Sequence, residues 1–230
     1  MVLLGISWTE PSSPCLWPTE TRDAIGSQAG YEPIEDMSDP LTIAAEAARA
    51  CTVCAGQLPL GPRPILRVSR TARLLIIGQA PGTKVHATGI PWNDPSGDRL
   101  RLWLGLDRAA FYEEARIAIL PMGLCYPGRA ANGGDAPPRP ECAPLWHPRL
   151  LALMPEIRLT LLIGTYAQAR SLGKGAMTDR VLAFREHLPA RRFPLPHPSW
   201  RTVIWEKRNP WFTEEVLPAL RTQIAMALAG

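Results

Sequence analysis

The chain has 230 residues, 25 Lys and Arg against 21 Asp and Glu, and 46% hydrophobic residues, which suits one globular domain with a full core and excludes a disordered or fibrous polymer. Its longest apolar runs are strand length, far short of the ~20 residues that cross a bilayer, and Met1 to Trp8 offers neither a basic n-region nor a long enough apolar stretch for a secretory signal. A cytoplasmic protein with no membrane contact is expected, and its five cysteines read first as metal ligands rather than a disulfide scaffold.

Residues 1–36 mix Pro, Ser, Thr, Gly and acids without apolar periodicity, so they are expected to form a poorly ordered acidic extension. Met37 is then a candidate start, and residues 37–230 the folded domain. Ser38-Asp39-Pro40 gives a helix N-cap signal before a first helix over 41–50. Strands follow at about 73–78, 117–121, 159–164 and 192–195, with helices at about 96–105, 141–153, 165–171, 178–187 and 213–228. Strands separated by helices pair in parallel through crossovers. The expected fold is therefore an α/β/α sandwich of three layers with a central four-stranded parallel sheet, its ligand site beyond the C-terminal strand ends.

Charge is unevenly spread. Residues 1–40 hold seven acids and one base, a net −6 that leaves +10 for the remainder, so a polyanionic partner becomes plausible. The strand ends carry the unusual residues. After the first strand comes Gly78-Gln79-Ala80-Pro81-Gly82, then Gly89-Ile90-Pro91-Trp92-Asn93-Asp94. Neither a dinucleotide G-x-G-x-x-G turn nor a P-loop is present. An ordinary tight turn explains Gly78 and Gly82 but not the Trp92-Asn93-Asp94 cluster. After the last strand stands Pro196-His197-Pro198-Ser199-Trp200-Arg201, where flanking prolines restrict the direction of His197.

Taken in order, these segments resemble the uracil-DNA glycosylase superfamily: Gly78 to Gly82 is similar to its first motif, Gly89 to Trp92 to its base-stacking segment, and His197-Pro198-Ser199 to its last. The resemblance covers roughly residues 45–225. It implies a monofunctional DNA N-glycosylase, a monomer that hydrolyses the bond between sugar and uracil, or another deaminated base, in single- or double-stranded DNA to begin base-excision repair. The base must be rotated out of the helix or taken from a single strand. By the resemblance, Trp92, or less favourably Tyr126, stacks on the extruded base. His197 donates to the O2 that gains charge as the bond breaks. Asp94 positions the water and offsets charge on the sugar. Gln79 stands where a sister branch has Glu and cannot serve as a base, although with Gly78 it can hold a water or present backbone. Asp98 is a competing acid. Ser199, Trp200 and Arg201 would meet the DNA backbone and fill the vacated space, and Gly97 would offer an amide to a phosphate. One departure is Leu120-Pro121-Met122, where many members place an Asn that reads uracil, so broader base choice is expected. The segment between Cys125 and Cys142 lacks the basic His-bearing insertion of the DNA-crosslinking branch, so covalent capture is not expected.

Cys51-x2-Cys54, Cys125 and Cys142 agree with the iron–sulfur branches of that superfamily. The two, one and one arrangement favours a [4Fe-4S] cluster, with zinc as the alternative; a zinc ribbon would repeat its C-x2-C after a short gap. Cys15 is left over. Two other readings stay open: a catalytically silent iron–sulfur DNA-binding protein of the same fold, and an unrelated α/β hydrolase or transferase acting on a small nucleoside.

Overall fold

A computed structural model describes residues 39–131 and 133–229. The expected extension over 1–36, the start at Met37 and Cys15 lie outside the described residues. Helix α1 (Pro40–Arg49) begins as its sequence predicts: the Asp39 carboxylate accepts the Thr42 N–H at 3.0 Å, and Pro40 occupies the first turn, where its missing N–H costs nothing. Its face of Leu41, Ala45 and Ala48 is buried.

Strands β1 (Leu74–Ile77), β2 (Ile117–Ile119), β3 (Leu159–Ile163) and β4 (Arg192–Leu195) form one all-parallel sheet in the order β2-β1-β3-β4. Both faces are covered, which is why the central strand β1 and its neighbour β2 read as unbroken apolar runs and β3 and β4 as nearly so, rather than alternating. Leu74, Ile76, Ile117, Ile119, Leu159, Leu161, Ile163, Phe193 and Leu195 face one core, with α3 (Pro95–Leu104), α7 (Met177–Leu182), α8 (Phe184–His187) and α10 (Leu217–Leu228) packed over them. Leu75, Ile77, Ala118 and Leu162 face the other, under α1, α5 (Cys142–Leu151) and α6 (Thr165–Leu172). At roughly 1.5–3 kcal/mol for each fully buried large apolar side chain, these two cores dominate the fold. The sheet edges are blunted: an antiparallel bridge joins Arg67 to Ile119 outside β2, and Pro194 lies in edge strand β4, where its missing donor is tolerated.

The three layers and the four strands are as the sequence predicts. The expected helix over 178–187 is broken at Ala183 into α7 and α8, and the one over 213–228 opens with a π-helical turn, Phe212–Val216, that buries Phe212 and Val216. Three short helices were not expected: α2 (Thr83–Thr88), α4 (Arg108–Phe111) and α9 (Thr202–Arg208). Among the described residues no helix is long and apolar enough to cross a membrane. Because all strands run one way, the loops after β1, β2, β3 and β4 meet at one rim. The topological switch falls between β1 and β3, where such sheets open a crevice.

Candidate active site

That crevice holds a cavity of about 540 Å³, lined among others by Gly78, Gln79, Trp92, Asp94, Pro121, Asp135 and His197. Gly78 ends β1 with no side chain for a steric reason. A Cβ there would lie 2.7 Å from Cζ2 of Trp92, so only glycine lets the indole rest against the strand end. Gln79 spends its amide nitrogen on the Ala136 carbonyl, at 3.2 Å.

Trp92 is locked from several sides. Its φ of 56° is left-handed, which costs about 1–3 kcal/mol for a non-glycine residue. The strain is offset by contacts on either side: Arg101 Nη1 donates to the Trp92 carbonyl at 3.2 Å, and the Tyr112 hydroxyl donates to the Pro91 carbonyl at 2.8 Å. Gly97 is obligatory here, since a Cβ would come 1.7 Å from the Trp92 carbonyl oxygen. Asp94 caps α3, accepting the Gly97 N–H on Oδ1 at 2.8 Å. That bond consumes the Gly97 amide expected to meet a phosphate. Asp98 points away from the cavity and pairs with the buried Arg101 at 2.5 Å; it is the first-turn charge of a helix, not a competitor of Asp94.

His197 arrives from the opposite end of the chain. Pro196 and Pro198 on either side are buried, and its carbonyl accepts the Ser199 N–H at 2.8 Å and the Thr202 hydroxyl. Its ring lies 5.8 Å from that of Trp92, tilted by 33°. Burial pushes its pKa below the ordinary value, with Asp94 pulling the other way. The imidazole is thus neutral around neutral pH, able to donate one N–H without carrying charge. Ser199 and Arg201 line an adjoining groove of about 610 Å³ that shares Gln79 and His197 with the cavity. Trp200 is 72% exposed, with the Arg201 guanidinium 4.9 Å from its ring centre. Tyr126 is placed elsewhere: it is buried, 6.2 Å from the His86 ring, and does not line the cavity. Of the two aromatics considered for stacking, the fold brings only Trp92 to the site.

The wall where an Asn was missed is apolar, formed by Ile65, Ile119 and Pro121. The Pro121 carbonyl is held 3.0 Å from Nε2 of buried His147. Asp135, which the sequence did not single out, completes the lining. Burial raises its pKa, the Arg129 charge opposes the shift and Asp94 adds to it.

The four expected cysteines converge on a separate cavity of about 340 Å³, lined by Cys51, Cys54, Cys125 and Cys142 with Leu58, Pro64, Leu124 and Trp146. All four are free thiols. Leu124 N–H donates to Cys142 Sγ at 3.3 Å, and Cys54 Sγ lies 3.9 Å from Glu141 Oε2. Burial pushes the Cys142 thiol up to about 11, opposed by that Leu124 bond and reinforced by Cys125, Cys54 and Cys51; burial likewise raises Cys125 and Cys54. Among the described residues no three His, Cys, Asp or Glu side chains stand in closed ligating geometry. The donor set nonetheless suits a thiophilic centre: four sulfurs line one apolar cavity, and three of them, Cys54, Cys125 and Cys142, are unfavourable as free thiolates there, a cost that a bound cation would relieve.

The profile of the Uracil DNA glycosylase superfamily matches residues 67–221, from Arg67 ahead of β1 into the second turn of α10, and so takes in the whole sheet, the Gly78 loop, the Trp92-Asp94 wall and His197. With two thirds of its length in that match and the parallel sheet to carry it, the chain belongs to the uracil-DNA glycosylase superfamily.

Proposed function

We propose that the protein is a monofunctional DNA glycosylase that hydrolyses the N-glycosidic bond of uracil or other deaminated bases. The observation that carries this reading is that His197 and Asp94, from opposite ends of the domain, face one cavity whose side is the Trp92 indole. An extruded base stacks on Trp92. As the bond to the sugar breaks, electron density moves to the base oxygen and the neutral His197 N–H stabilises it, a contribution that grows only in the transition state. Asp94, fixed by its cap on α3, faces the sugar with negative charge. Ser199 and Arg201 line the groove along which the DNA strand runs, and the exposed Trp200 between them is free to meet it. The apolar Ile65, Ile119 and Pro121 wall offers no side-chain amide to read uracil alone, which supports acceptance of hypoxanthine and xanthine as well.

Cys51, Cys54, Cys125 and Cys142 would hold a [4Fe-4S] cluster, and their shared cavity supports that assignment over separate buried thiols. Bound there, it would tie the exit of α1, the loop after β2 and the start of α5 together; it has no part in the chemistry at His197. Zinc is the competing occupant.

The test is an excision assay on uracil, hypoxanthine and xanthine in single- and double-stranded oligonucleotides. Release of at least one base is the expected result. Tight binding to damaged DNA without release of any base would instead assign a silent binding protein, and release from a free deoxynucleoside a small-molecule hydrolase.

A further inference from the structure

The glycosylase reading leaves one part unassigned. Water that attacks the sugar must lose a proton, and the first motif carries Gln79 where an acid would take it. Asp94 is partly committed, one oxygen held by the Gly97 N–H. A second carboxylate reaches the same place from a different element. Between Gly128 and Ala136 the chain doubles back: Ala136 N–H donates to the Gly128 carbonyl at 2.8 Å, Ala130 N–H to the Gly134 carbonyl at 3.1 Å, and Arg129 faces Asp135 across an antiparallel bridge. Gln79 fastens this segment to the end of β1 through the Ala136 carbonyl. The neighbouring Asp135 is thereby set on the cavity wall. A methyl group built on Gly82 would lie 3.4 Å from Asp135 Oδ2 and 3.8 Å from Asp94 Oδ2, so the two carboxylates flank one small space beside the glycine.

Resting on the glycosylase reading, we propose that Asp135 is the proton acceptor of the reaction, receiving the proton of a water held between it and Asp94. The bond from C1′ to the base nitrogen breaks and its electron pair leaves with the base, stabilised at His197. The water oxygen bonds to C1′, and its proton passes to Asp135, which later returns it to solvent or to the departing base. Gln79 is then a positioning residue: it stands in the place of the acid and secures the segment that brings the acid. The charged and titratable groups facing Asp135 suit the role. Asp94 across Gly82 and loss of water raise its basicity, and Arg129 opposes them without cancelling the shift. Arg201 approaches the same segment at Gly134, and His197 lies across the cavity. A carboxylate more basic than an ordinary Asp accepts a proton more readily near neutral pH.

The test is single-turnover excision by the full chain, over mildly acidic to mildly alkaline pH, for wild type, Asp135→Asn and Asp135→Glu, with affinity for the uncleaved damaged oligonucleotide measured in parallel. Asp135→Asn should lower the rate about 10²–10⁴-fold, the range of a lost general base, without weakening DNA binding, and should abolish the fall in rate at acidic pH. Asp135→Glu should recover part of the rate together with that acid limb. An active wild type whose Asp135→Asn variant keeps its rate, or loses rate but keeps the acid limb, overturns the role of Asp135 and leaves the glycosylase reading standing. A wild type that releases no base overturns both.

Discussion

Two cavities open at the same sheet rim, only a few residues apart in the loops that build them, and they are made in opposite ways. The one beside Trp92 gathers groups that can exchange protons or charge, Asp94, Asp135 and His197, with the neutral amide of Gln79 among them. The other gathers four sulfurs among Leu58, Leu124 and Trp146, with burial driving the Cys54, Cys125 and Cys142 thiols toward their neutral form. They share a wall, since Gly123, which lines the cysteine cavity, donates its N–H to the Gln79 carbonyl at 2.9 Å. The difference teaches where function and architecture divide. Polar and titratable side chains stay reachable around the first cavity, whereas the second presents its sulfurs on an apolar surface.

Substitution at the cysteines should separate the two cavities most sharply. On the proposed cluster assignment, Cys142→Ser is expected to bind no iron and to lower the melting temperature more than any variant in the Trp92 cavity, with excision falling in step with the folded fraction; iron content and thermal unfolding of wild type and variant measure it, and an iron-free wild type or full iron retention by the variant would refute the ligand assignment. His197→Ala should do the reverse, reducing single-turnover excision about 10²–10³-fold, the cost of one oxyanion donor, while iron and melting temperature hold. Gly78→Ala sits between them in mechanism. Its Cβ would meet the indole at 2.7 Å, so Trp92 must move, and a misplacement of about 1 Å costs on the order of 10²-fold. Stopped-flow excision with tryptophan fluorescence would follow both ring and rate, and a displaced indole with an unchanged rate would exclude Trp92 as the stacking face.

Asp94→Asn gives a smaller but more diagnostic effect. Excision should slow, and because Asp94 raises the pKa of Asp135, its neutralisation should make Asp135 more acidic. The acid limb of the pH–rate profile should therefore shift to lower pH; a limb that stays in place would mean that the two carboxylates do not face each other. Least specific of all is the salt response. A body of net charge +10 over residues 41–230 should lose DNA affinity steeply between roughly 50 and 200 mM salt, equally for wild type and for His197→Ala.

The sheet was legible because its strands are short, largely apolar runs closed by Gly or Pro, most plainly Leu74–Ile77 before Gly78. The loss of α2, α4 and α9 from that reading has a physical cause: at six, four and seven residues none is long enough to show an apolar stripe, and their stability comes from packing and caps rather than periodicity. In the site, His197 and Trp92 stood out because prolines and a family pattern surround them. Asp94 was read as a reactive acid without its second job at the start of α3, although an Asp followed by Pro-Ser-Gly is an N-cap signal. Asp135 escaped notice because nothing adjacent to it in sequence is chemical; the only local sign was the Asn132-Gly133 pair, which predicts a turn and hence a chain doubling back. Its neighbours Asp94 and Gly82 are close only in space.

Gln79 holds Ala136 by one hydrogen bond at the border between sheet and loop, and that has a meaning for how such an enzyme diversifies. The described residues of the segment, 128–131 and 133–136, contribute nothing to either apolar core, so its length and sequence are free to vary at little cost to folding. Chemistry carried there is interchangeable in a way that chemistry carried on β1 is not. A lineage could trade an acid for an amide or a cation at position 135, and so change what the pocket does to its nucleotide, while every strand register stayed the same.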